Sequence, residues 1–530
     1  MKSFRIQNLR SIKDSQEIFI NKCNLFIGAN GTGKSSILRF FPLLKQTISQ
    51  KNSSPILWYA RDGVDFGSYN ESINKEDRDK GIKFSLRFNE QLEIIDNQLA
   101  SSILKKFSKQ IKNQWLFWDF EFHTMRSEST VLLNDVEIEI KNDRFSSLEI
   151  SFDDNSVRFD FDKNGIYIDG EKIKDIKLFA QKEEYPLLPL IYTEIKDDKV
   201  SIEELYMQNI LDLVLSDINA NINDKTKQMV LSRINYRKDF SSILDSLTVS
   251  KLPITITKKF EKNQLFNRKN LQYFVLICFA SKLIPYINRI ISDYFTNTIY
   301  VAPIRATAER YYRVQGLSVE EVDPMGTNVP MILDYMNSNN SWKKSWQNWT
   351  MKNFGTMYQA KTAGGNTSIE VFIDGEYFNL ADTGFGYSQF LPILLMLWQE
   401  EQRNNDIGEI AESNFFNFEF FQEEHARKVV IIEQPELHLH PKMQDQFANL
   451  LFNIVTNPTS RVDFIIETHS TVIINKIGEL IEKSNYSNEN TEIEDNFNLY
   501  LVNNNSSDKK IVRTQYDKDG VIKEWPIGFL

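Results

Sequence analysis

The feature that most constrains this chain is a glycine-rich loop close to its first residues. Residues Gly28–Ser35 match the pattern G-x-x-x-x-G-K-[ST] completely, with an apolar run before them and a helix-forming segment after them. Backbone N–H groups in such a loop curl around phosphate oxygens, and the helix start favours negative charge. The motif therefore predicts a site for ATP and Mg²⁺, in which Lys34 contacts the β- and γ-phosphates and the Ser35 hydroxyl binds the metal. The residues predicted to hold the phosphates are Asn30, Gly31, Thr32, Gly33, Lys34, Ser35 and Ser36.

A phosphate loop also needs a carboxylate on a nearby strand to help hold the metal. Four β-branched residues precede Glu433 in Val429–Glu433, so this carboxylate falls at the carboxyl edge of a predicted strand, where ligands of parallel sheets bind. A second apolar strand, Val462–Glu467, leads to His469. The alternative for Glu433 is an ordinary buried strand that ends in a charge, and it weakens only when the other motifs are considered.

The residues after Glu433 carry a family resemblance. The run Gln434–Pro441, followed further on by Thr468–Ser470, resembles the end of an ABC-type ATPase head of the group that includes SMC and OLD-family proteins. The resemblance implies that Glu433 binds the metal, that His469 contacts the γ-phosphate, and that Leu437–His440 crosses to a partner subunit.

One position departs from that family pattern. Where the family has a glutamate as general base, this chain has Gln434, whose neutral amide can orient water but cannot accept its proton. We therefore expect slow hydrolysis, assisted by Glu436 or His469. In a long-lived ATP-bound closed state, the nucleotide would act mainly as a structural signal and less as a source of free energy.

The segment Asp382–Gln389 precedes an apolar helix and resembles the signature loop of ABC-type ATPases. Its Ser388 is a candidate helix cap and phosphate ligand, because glycines followed by serine at a helix start form an anion site. A capped helix after a glycine turn is also common on its own. In the ABC class this loop binds the nucleotide of the other subunit, so the resemblance implies a head-to-tail homodimer or a higher even oligomer.

Further segments resemble a narrower family of prokaryotic ATPases that includes subunits of anti-phage defence systems. The Septu type, which pairs with an HNH nuclease, is the most similar, and the PARIS type comes next. The resemblance implies an ATP-binding regulatory scaffold for a separate effector protein. We expect the chain not to be a nuclease, since it has no metal-nuclease spacing and few residues after His469. The segments are Asp62–Tyr69, Tyr300–Arg305, Glu309–Tyr312, Gly386–Pro392, Glu433–Pro441, Asp519–Gly520 and Trp525–Phe529.

The net charge of −10 means that the surface as a whole repels nucleic acid. Contact with DNA or RNA then needs a local basic patch, and the candidate is the cluster of three arginines and two tyrosines within Arg305–Arg313. These side chains either stack on bases or pair with acidic neighbours in the nucleotide lobe. The competing function is an SMC-type DNA-repair or DNA-processing ATPase. The acidic charge, Gln434 and the lack of sustained heptads count against it.

Periodicity along the chain predicts the fold class: an α/β, ABC-type P-loop ATPase head with a mixed sheet, an inserted antiparallel β meander and a helical subdomain. Meander strands are predicted at Ile82–Phe88, Leu116–Phe122, Val136–Ile140, Leu148–Phe152 and Val157–Phe161, and polar loops at Asn340–Gly365 and Asn485–Asp508. The predicted parts are an N-terminal ATPase lobe (1–80), a β-rich part (81–199), a helical insertion (200–299), a C-terminal ATPase lobe (300–480) and a C-terminal extension (481–530).

Cysteine and apolar content predict a cytoplasmic protein. Cys23 and Cys278 are too few and too far apart for a disulfide framework. The most apolar stretch, Leu271–Ala280, is far shorter than the roughly 20 residues that span a membrane. His438 and His440 have a spacing that metal sites use, but no third ligand is apparent. His123 and His425 have no predicted role.

Overall fold

The computed structural model describes residues 1–95, 128–206, 209, 268–313, 321–406, 427–487, 492–503 and 511–523. The chain divides into two compact units. The first consists of Met1–Phe4, Ser53–Pro55 and Lys83–Ile290, and the second of Arg5–Asn52, Ile56–Ile82 and Ile291–Leu530. The second unit joins distant parts of the chain, because it contains both the phosphate loop and the predicted acidic strands. The five-part division made from the sequence stays a prediction.

The elements are numbered in chain order over the described residues. The strands are β1 (Ser3–Leu9), β2 (Ile12–Asp14), β3 (Ile18–Phe19), β4 (Cys23–Gly28), β5 (Ile82–Ile95), β6 (Glu128–Lys141), β7 (Arg144–Phe152), β8 (Asn155–Asp160), β9 (Gly165–Ile168), β10 (Glu171–Asp175), β11 (Phe179–Gln181), β12 (Leu190–Ile195), β13 (Asp198–Ser201), β14 (Thr298–Val301), β15 (Tyr312–Arg313), β16 (Met357–Ala363), β17 (Asn366–Ile373), β18 (Glu376–Asn379), β19 (Lys428–Glu433), β20 (Val462–Glu467), β21 (Phe497–Val502) and β22 (Ile511–Thr514). The helices are α1 (Lys34–Leu38), α2 (Phe40–Ser49), α3 (Tyr69–Ser72), α4 (Arg268–Thr296), α5 (Val329–Asn337), α6 (Asn340–Phe354), α7 (Phe385–Asp406), α8 (Pro441–Thr456) and α9 (Thr471–Ser487), with short 3₁₀ helices at Leu380–Asp382 and Ile493–Asn496.

The first unit contains an antiparallel meander in which neighbours in sequence are neighbours in the sheet, in the order β10-β9-β8-β7-β6-β5. Apolar residues alternate along its strands, so that Val136, Ile138 and Ile140 of β6 are fully buried. A separate three-stranded sheet of β11, β12 and β13 follows. The predicted meander is therefore present, except that the strand expected at Leu116–Phe122 lies outside the described residues.

Helix α4 extends well beyond Leu271–Ala280, the most apolar stretch of the sequence. Its segment Gln272–Thr296 is long and apolar enough to cross a membrane, and 61% of its most apolar part is buried inside the protein. The buried core helix of a protein outside the membrane can have the same length and composition, so α4 by itself does not indicate a membrane protein. Most of the predicted helical insertion before α4, residues 207–208 and 210–267, lies outside the described residues.

The second unit is built on a six-stranded mixed sheet in the order β14-β19-β20-β4-β21-β22. Its first five strands are parallel, and β22 pairs antiparallel with β21. Strands β4, β20 and β21 are buried along their whole length, as central strands of a covered sheet are. The carboxyl ends of the parallel strands meet at one edge, which is where the phosphate loop begins.

Two segments that were predicted to be polar loops form regular structure instead. Asn340–Gly365 contains α6 and β16: the Asn339 side chain caps the helix by accepting hydrogen bonds from the next backbone N–H groups, and Gly355 ends it at φ 67°. The tryptophans of this segment are core residues, with Trp346 and Trp349 buried and stacked. Within Asn485–Asp508, Phe497–Val502 is the fully buried strand β21. In both segments, regular structure forms because apolar side chains become buried, although the overall composition is polar.

Candidate functional site

The phosphate loop joins β4 to α1, as predicted. Gly28 lies so close to strand β21 that a Cβ atom would sit 2.2 Å from the Val502 carbonyl oxygen, so only glycine fits there. Gly33 has φ 104° at the start of α1, a conformation that side chains rarely adopt. Thr32 is buried, and its hydroxyl donates to the Ala29 carbonyl at 3.0 Å. Asn30 and Gly31 are exposed at the mouth of the loop, and Ser36 is buried behind it.

Lys34 is enclosed by its own loop. Its side chain is only 2% exposed, and Nζ donates to the carbonyls of Gly28 and Ala29 at 2.9 and 2.8 Å. The nearest carboxylate oxygen belongs to Glu467, at 3.5 Å. Burial lowers the pKa of Lys34, while the neighbouring glutamates oppose that shift. Lys34 thus points across the loop in which phosphate oxygens are expected.

Two carboxylates stand side by side at the carboxyl edge of the sheet. Glu433 ends β19 and Glu467 ends β20, and these residues are partners in the parallel register. The hydroxyl of Ser35 donates to Oε2 of Glu467 at 2.8 Å. The predicted metal carboxylate, Glu433, instead accepts from Arg39 at 2.7 and 2.9 Å and from the Tyr300 hydroxyl at 2.7 Å. Glu467 therefore contacts Ser35 where Glu433 was expected.

Gln434 follows β19 in a left-handed conformation, with φ 47°. Its backbone N–H donates to the Glu467 carbonyl at 2.8 Å, which ties the ends of β19 and β20 together. Its half-buried side chain thus begins at the strand edge, where β19 and β20 end.

Glu436 connects the segment after β19 to the segment after β20 through hydrogen bonds. The Glu436 carboxylate accepts from the Thr468 hydroxyl at 2.9 Å and from the backbone N–H of His469 at 2.7 Å. Burial raises the pKa of Glu436. Nε2 of His469 is buried without a hydrogen-bond partner in the described part of the chain. Burial, and then the charge of Lys34, lower the pKa of His469, so its imidazole is neutral at pH 7.

Of the two other histidines in this region, His440 has a structural role. Nδ1 of His440 accepts from the Lys442 backbone N–H at 3.2 Å and so caps α8 before Pro441. His438 is exposed, with φ 62°. Among the described residues, no group of three or more His, Cys, Asp or Glu side chains could hold a metal. His123 and His425 lie outside those residues.

The signature segment places Ser388 inside α7 instead of at its cap, because the helix begins at Phe385. The Ser388 hydroxyl donates to the Phe385 carbonyl at 3.0 Å, and the side chain is buried. The helix start packs against the Leu437–His440 loop of the same chain, since a Cβ on Gly386 would lie 2.7 Å from the His438 carbonyl oxygen. Phe385 itself is 63% exposed.

Arg305 links α7 to the end of β19. It is buried and donates to the backbone carbonyls of Gln389, Glu433 and Gln434 at 3.2, 2.8 and 3.3 Å. The Gln389 side chain binds the Arg305 backbone in return. Burial lowers the pKa of Arg305 to about 10, so it remains charged at neutral pH.

Some side chains of the basic and aromatic cluster therefore already bind other residues of the chain. Arg305 is buried, and Arg310 pairs with Asp382. The Tyr312 hydroxyl accepts from the Glu309 backbone N–H at 2.7 Å. Tyr311 and Arg313 are exposed. The packing alternative accounts for Arg305 and Arg310.

The arrangement fits ATP with Mg²⁺. The carbonyl contacts of Lys34 can be exchanged for phosphate oxygens, and the unpartnered Nε2 of His469 can donate to another oxygen when it carries the ring proton. Ser35 and Glu467 supply the oxygen ligands that magnesium prefers. When bound, the metal would neutralise charge on the β- and γ-phosphates.

A comparison with protein families agrees with this geometry. Residues 1–474 match the AAA ATPase domain family. The chain belongs to the AAA ATPase domain family. Its fold class is accordingly the predicted α/β P-loop ATPase fold with a mixed sheet and an antiparallel meander. Members of the family are ATPases that generally use ATP with Mg²⁺.

Comparison of this ATPase with curated proteins finds no match. Solved structures give distant similarities. The SMC head bound to the C-terminal winged-helix domain of ScpA has 11% identity over 98% of both chains, with a TM-score of 0.33. The SMC head of Thermotoga maritima has 10% identity over 96% of this chain and 97% of its own, with a TM-score of 0.31. The recombination mediator RecF has 11% identity over 89% and 93%, with a TM-score of 0.26.

Several residues of the site were not predicted from the sequence. Glu467 has the same signal as Glu433, a carboxylate directly after a run of apolar strand residues, and this signal could have identified it. Arg39 and Tyr300 carried no such signal, because their contact with Glu433 depends on which strands and helices become neighbours.

Proposed function

We propose that this ATPase is a slow, ATP-gated switch. It binds Mg²⁺·ATP at the phosphate loop, closes as a head-to-tail dimer with Ser388 of a second copy completing the site, and controls a separate effector. The observation that carries the proposal is Gln434, an amide at the strand edge where ABC-type heads have their general base. An amide can orient a water molecule, but it leaves the proton without an acceptor.

The remaining carboxylates of the site support slow hydrolysis. Glu433 is bound by Arg39 and Tyr300, and Glu467 is bound by Ser35 and Lys34. Glu436, the predicted substitute base, accepts hydrogen bonds on both of its oxygens. Hydrogen bonds to a carboxylate stabilise its charged form, so these contacts make each glutamate a weaker acceptor for a proton from water. ATP would therefore persist in the closed state.

The surface around Ser388 supports closure on a second copy. Phe385, at the start of α7, is a large apolar side chain that is mostly exposed, and its ring lies 6.0 Å from that of His438. An exposed aromatic beside a helix start offers contact area to a second subunit. Because an isologous dimer repeats each contact, one such surface would serve two nucleotide sites.

The biological setting that we propose is anti-phage defence, by resemblance to the Septu-type ATPase subunits and then to the PARIS type. ATP would hold the dimer and its effector, an HNH nuclease in the Septu case, in an inactive assembly. The chain would not cut nucleic acid itself. A cytoplasmic location fits this proposal.

The dimer is tested by analytical ultracentrifugation of the full chain with Mg²⁺·ATP, with ADP and without nucleotide. We expect dimers only with ATP, and persistence of the dimer over many minutes. Lys34→Ala is the matched control and should neither bind ATP nor dimerise. A wild-type chain that binds ATP and stays monomeric would contradict the closed dimer.

The effector role is tested by co-purification with the products of neighbouring genes, with and without ATP. We expect a small nuclease to be retained in the presence of ATP. The competing function predicts a different result: a lone protein whose ATP hydrolysis is rapid and strongly stimulated by DNA. That outcome would replace the switch with an SMC-type DNA-processing ATPase.

A further inference from the structure

We infer that Arg305 is a positioning residue for Gln434, and that it connects this position to helix α7. The inference deepens the proposed function and rests on it, because Gln434 is there the residue that orients the attacking water. In the described part of the chain, the Arg305 side chain donates its hydrogen bonds to backbone carbonyls. It would therefore act through Gln434 and not by touching the nucleotide.

Hydrogen bonds hold the peptide groups on both sides of Gln434. In the peptide that joins Glu433 to Gln434, the N–H donates to the Glu467 carbonyl at 2.8 Å. The carbonyl of the same peptide accepts from Nη2 of Arg305 at 2.8 Å. The Gln434 carbonyl, in the next peptide, accepts from this Nη2 and from the Leu437 N–H, both at 3.3 Å. Because each peptide group is planar, holding both of them fixes the direction in which the Gln434 side chain leaves the backbone.

The backbone conformation of Gln434 needs such support. Its φ of 47° lies in the left-handed region, which costs free energy for residues other than glycine. Backbone of this kind persists where the surrounding structure holds it, and it is concentrated at functional sites. The planar guanidinium of Arg305 can reach several carbonyls at once, whereas a lysine ammonium is a point charge on a flexible stem. Arginine is thus the side chain suited to hold both peptide groups.

The burial of Arg305 indicates a role beyond packing. The residue is 2% exposed, and its Nε has no hydrogen-bond partner among the described residues. A buried charge with an unused donor is a costly way to stabilise a fold. The rival account is that Arg305 only packs between α7 and β19, and it predicts the same effect of an Arg305 variant whichever residue stands at position 434.

The connection to α7 runs through Gln389, which is 4% exposed and directly follows Ser388. Nη1 of Arg305 donates to the Gln389 backbone carbonyl at 3.2 Å. In return, the Gln389 side chain accepts from the Arg305 N–H at 3.1 Å and donates to the Arg305 carbonyl at 2.9 Å. Contact of a second copy's nucleotide with Ser388 would therefore be transmitted to Gln434 through Gln389 and Arg305.

The test is a double-mutant cycle in the full chain with Arg305→Lys and Gln434→Glu. Phosphate release at saturating Mg²⁺·ATP gives the rate, and a fluorescent ATP analogue gives the affinity. We expect Gln434→Glu alone to raise the rate about tenfold, as an added general base does. In the Arg305→Lys background this gain should fall below about twofold, because the carboxylate no longer faces the water, while nucleotide affinity stays within about threefold. Arg310→Lys, in the same segment but at the surface, is the matched control and should keep the full gain.

Gln389→Met tests the α7 end of the connection. It removes the side-chain hydrogen bonds to the Arg305 backbone, and it should abolish the gain from Gln434→Glu in the same way. If Arg305→Lys does not fold, as judged by circular dichroism, Gln389→Met decides alone.

The outcomes separate this inference from the function on which it rests. A full gain in the Arg305→Lys or Gln389→Met background overturns the inference, and so does the absence of any gain from Gln434→Glu alone. In either case, ATP-dependent dimerisation of the wild type would leave the proposed function standing. A wild type that binds no Mg²⁺·ATP would mean that both fail.

Discussion

At the residue scale, the site combines two buried glutamates, one half-buried glutamate and one amide. Glu433, Glu436 and Glu467 are each held by hydrogen bonds, and Gln434 begins at the same strand edge. A fourth carboxylate at position 434 would lie close to like charges, which raise the pKa of an added acid towards the range of an effective base. The amide avoids this repulsion and leaves water without a proton acceptor.

Gln434→Glu should therefore speed hydrolysis, by about tenfold or more given the usual contribution of a general base. The measurement is steady-state phosphate release at saturating Mg²⁺·ATP. Gln434→Ala is the control, since it removes the amide without adding a base and should not increase the rate. An unchanged rate in Gln434→Glu would mean that residue 434 does not occupy the base position.

A buried aspartate on β20 supplies a second residue-scale feature. Asp463 is buried next to a half-exposed Arg427 at 3.3 Å, and its Oδ1 has no hydrogen-bond partner among the described residues. Burial raises the pKa of Asp463 from 3.8 to about 6. The folded state thus binds the proton more tightly than the unfolded state does, so stability falls as pH rises from about 4 to about 6.

Asp463→Asn should remove this pH dependence and stabilise the protein above pH 6. The shift of about two pKa units corresponds to about 3 kcal/mol, at about 1.36 kcal/mol per unit. Urea unfolding of the variant and the wild type at pH 4.5 and pH 7.5 measures the difference, which should fall to about 1 kcal/mol at the lower pH because most of the linkage lies above it. Asp374→Asn, in an exposed turn, is the control. A variant that is less stable at pH 7.5 would contradict the argument.

At the element scale, a proline helps to place Arg39. Pro42 has no N–H to donate to the Leu38 carbonyl, so the helix after the phosphate loop is interrupted at Arg39 between α1 and α2. Arg39 keeps helical dihedral angles, and its guanidinium reaches Glu433. The interruption therefore coincides with the residue that joins the loop helix to β19.

The start of α7 depends on close packing between two elements. Gly386 lies against the His438 carbonyl, where a Cβ would approach to 2.7 Å, whereas Gly384 has open space around its Cβ position. Gly386→Ala should destabilise the second unit by about 1–3 kcal/mol, as overpacking usually does. Gly384→Ala is the matched control and should change stability by less than about 1 kcal/mol. Urea unfolding measures both.

Stabilisation by Gly386→Ala, instead of destabilisation, would show that the start of α7 packs differently. If the contact with the Leu437–His440 loop is absent in solution, Gly386→Ala should stabilise the helix by about 1 kcal/mol, as expected for an unhindered helical glycine. That result would also weaken the proposed place of Phe385 beside His438 on the dimer surface.

At the scale of the whole molecule, charge argues against direct binding of nucleic acid. The chain carries a net charge of −10. Of the arginines in the basic cluster, Arg305 is buried, and Arg310 pairs with Asp382 at the surface. Arg310, Tyr311 and Arg313 are the members of that cluster that stay exposed. Too few cations remain there to neutralise several phosphates, on which non-specific affinity depends.

Duplex DNA should therefore bind more weakly than about 1 μM at 150 mM salt, within or below the usual non-specific range. Fluorescence anisotropy of a labelled 30-base-pair duplex, with and without Mg²⁺·ATP, measures this. Arg313→Ala should have no effect. Submicromolar binding that Arg313→Ala weakens would instead support the DNA-processing alternative.

Much of the site was predictable because its motifs are contiguous. A phosphate loop requires glycines, lysine and serine at fixed spacing, since one short stretch of backbone forms the whole cradle. A carboxylate after an apolar run likewise ends a strand wherever the strand lies in the sheet. The loop, the β19 and β20 strands and His469 beside the loop followed from these local rules.

Only the tertiary structure decided which carboxylate faces Ser35. Glu433 and Glu467 have the same local signal, and strand order separates them: β20 lies between β19 and β4. The tertiary structure also decided the place of β21, because the segment that contains it has a polar composition typical of a loop. It likewise decided the contact of Arg39, whose partner lies 394 residues further along the chain. Sequence by itself determined that the chain holds a P-loop nucleotide site. Which side chains meet there was decided by long-range packing, because burial and strand register depend on contacts that no local pattern encodes.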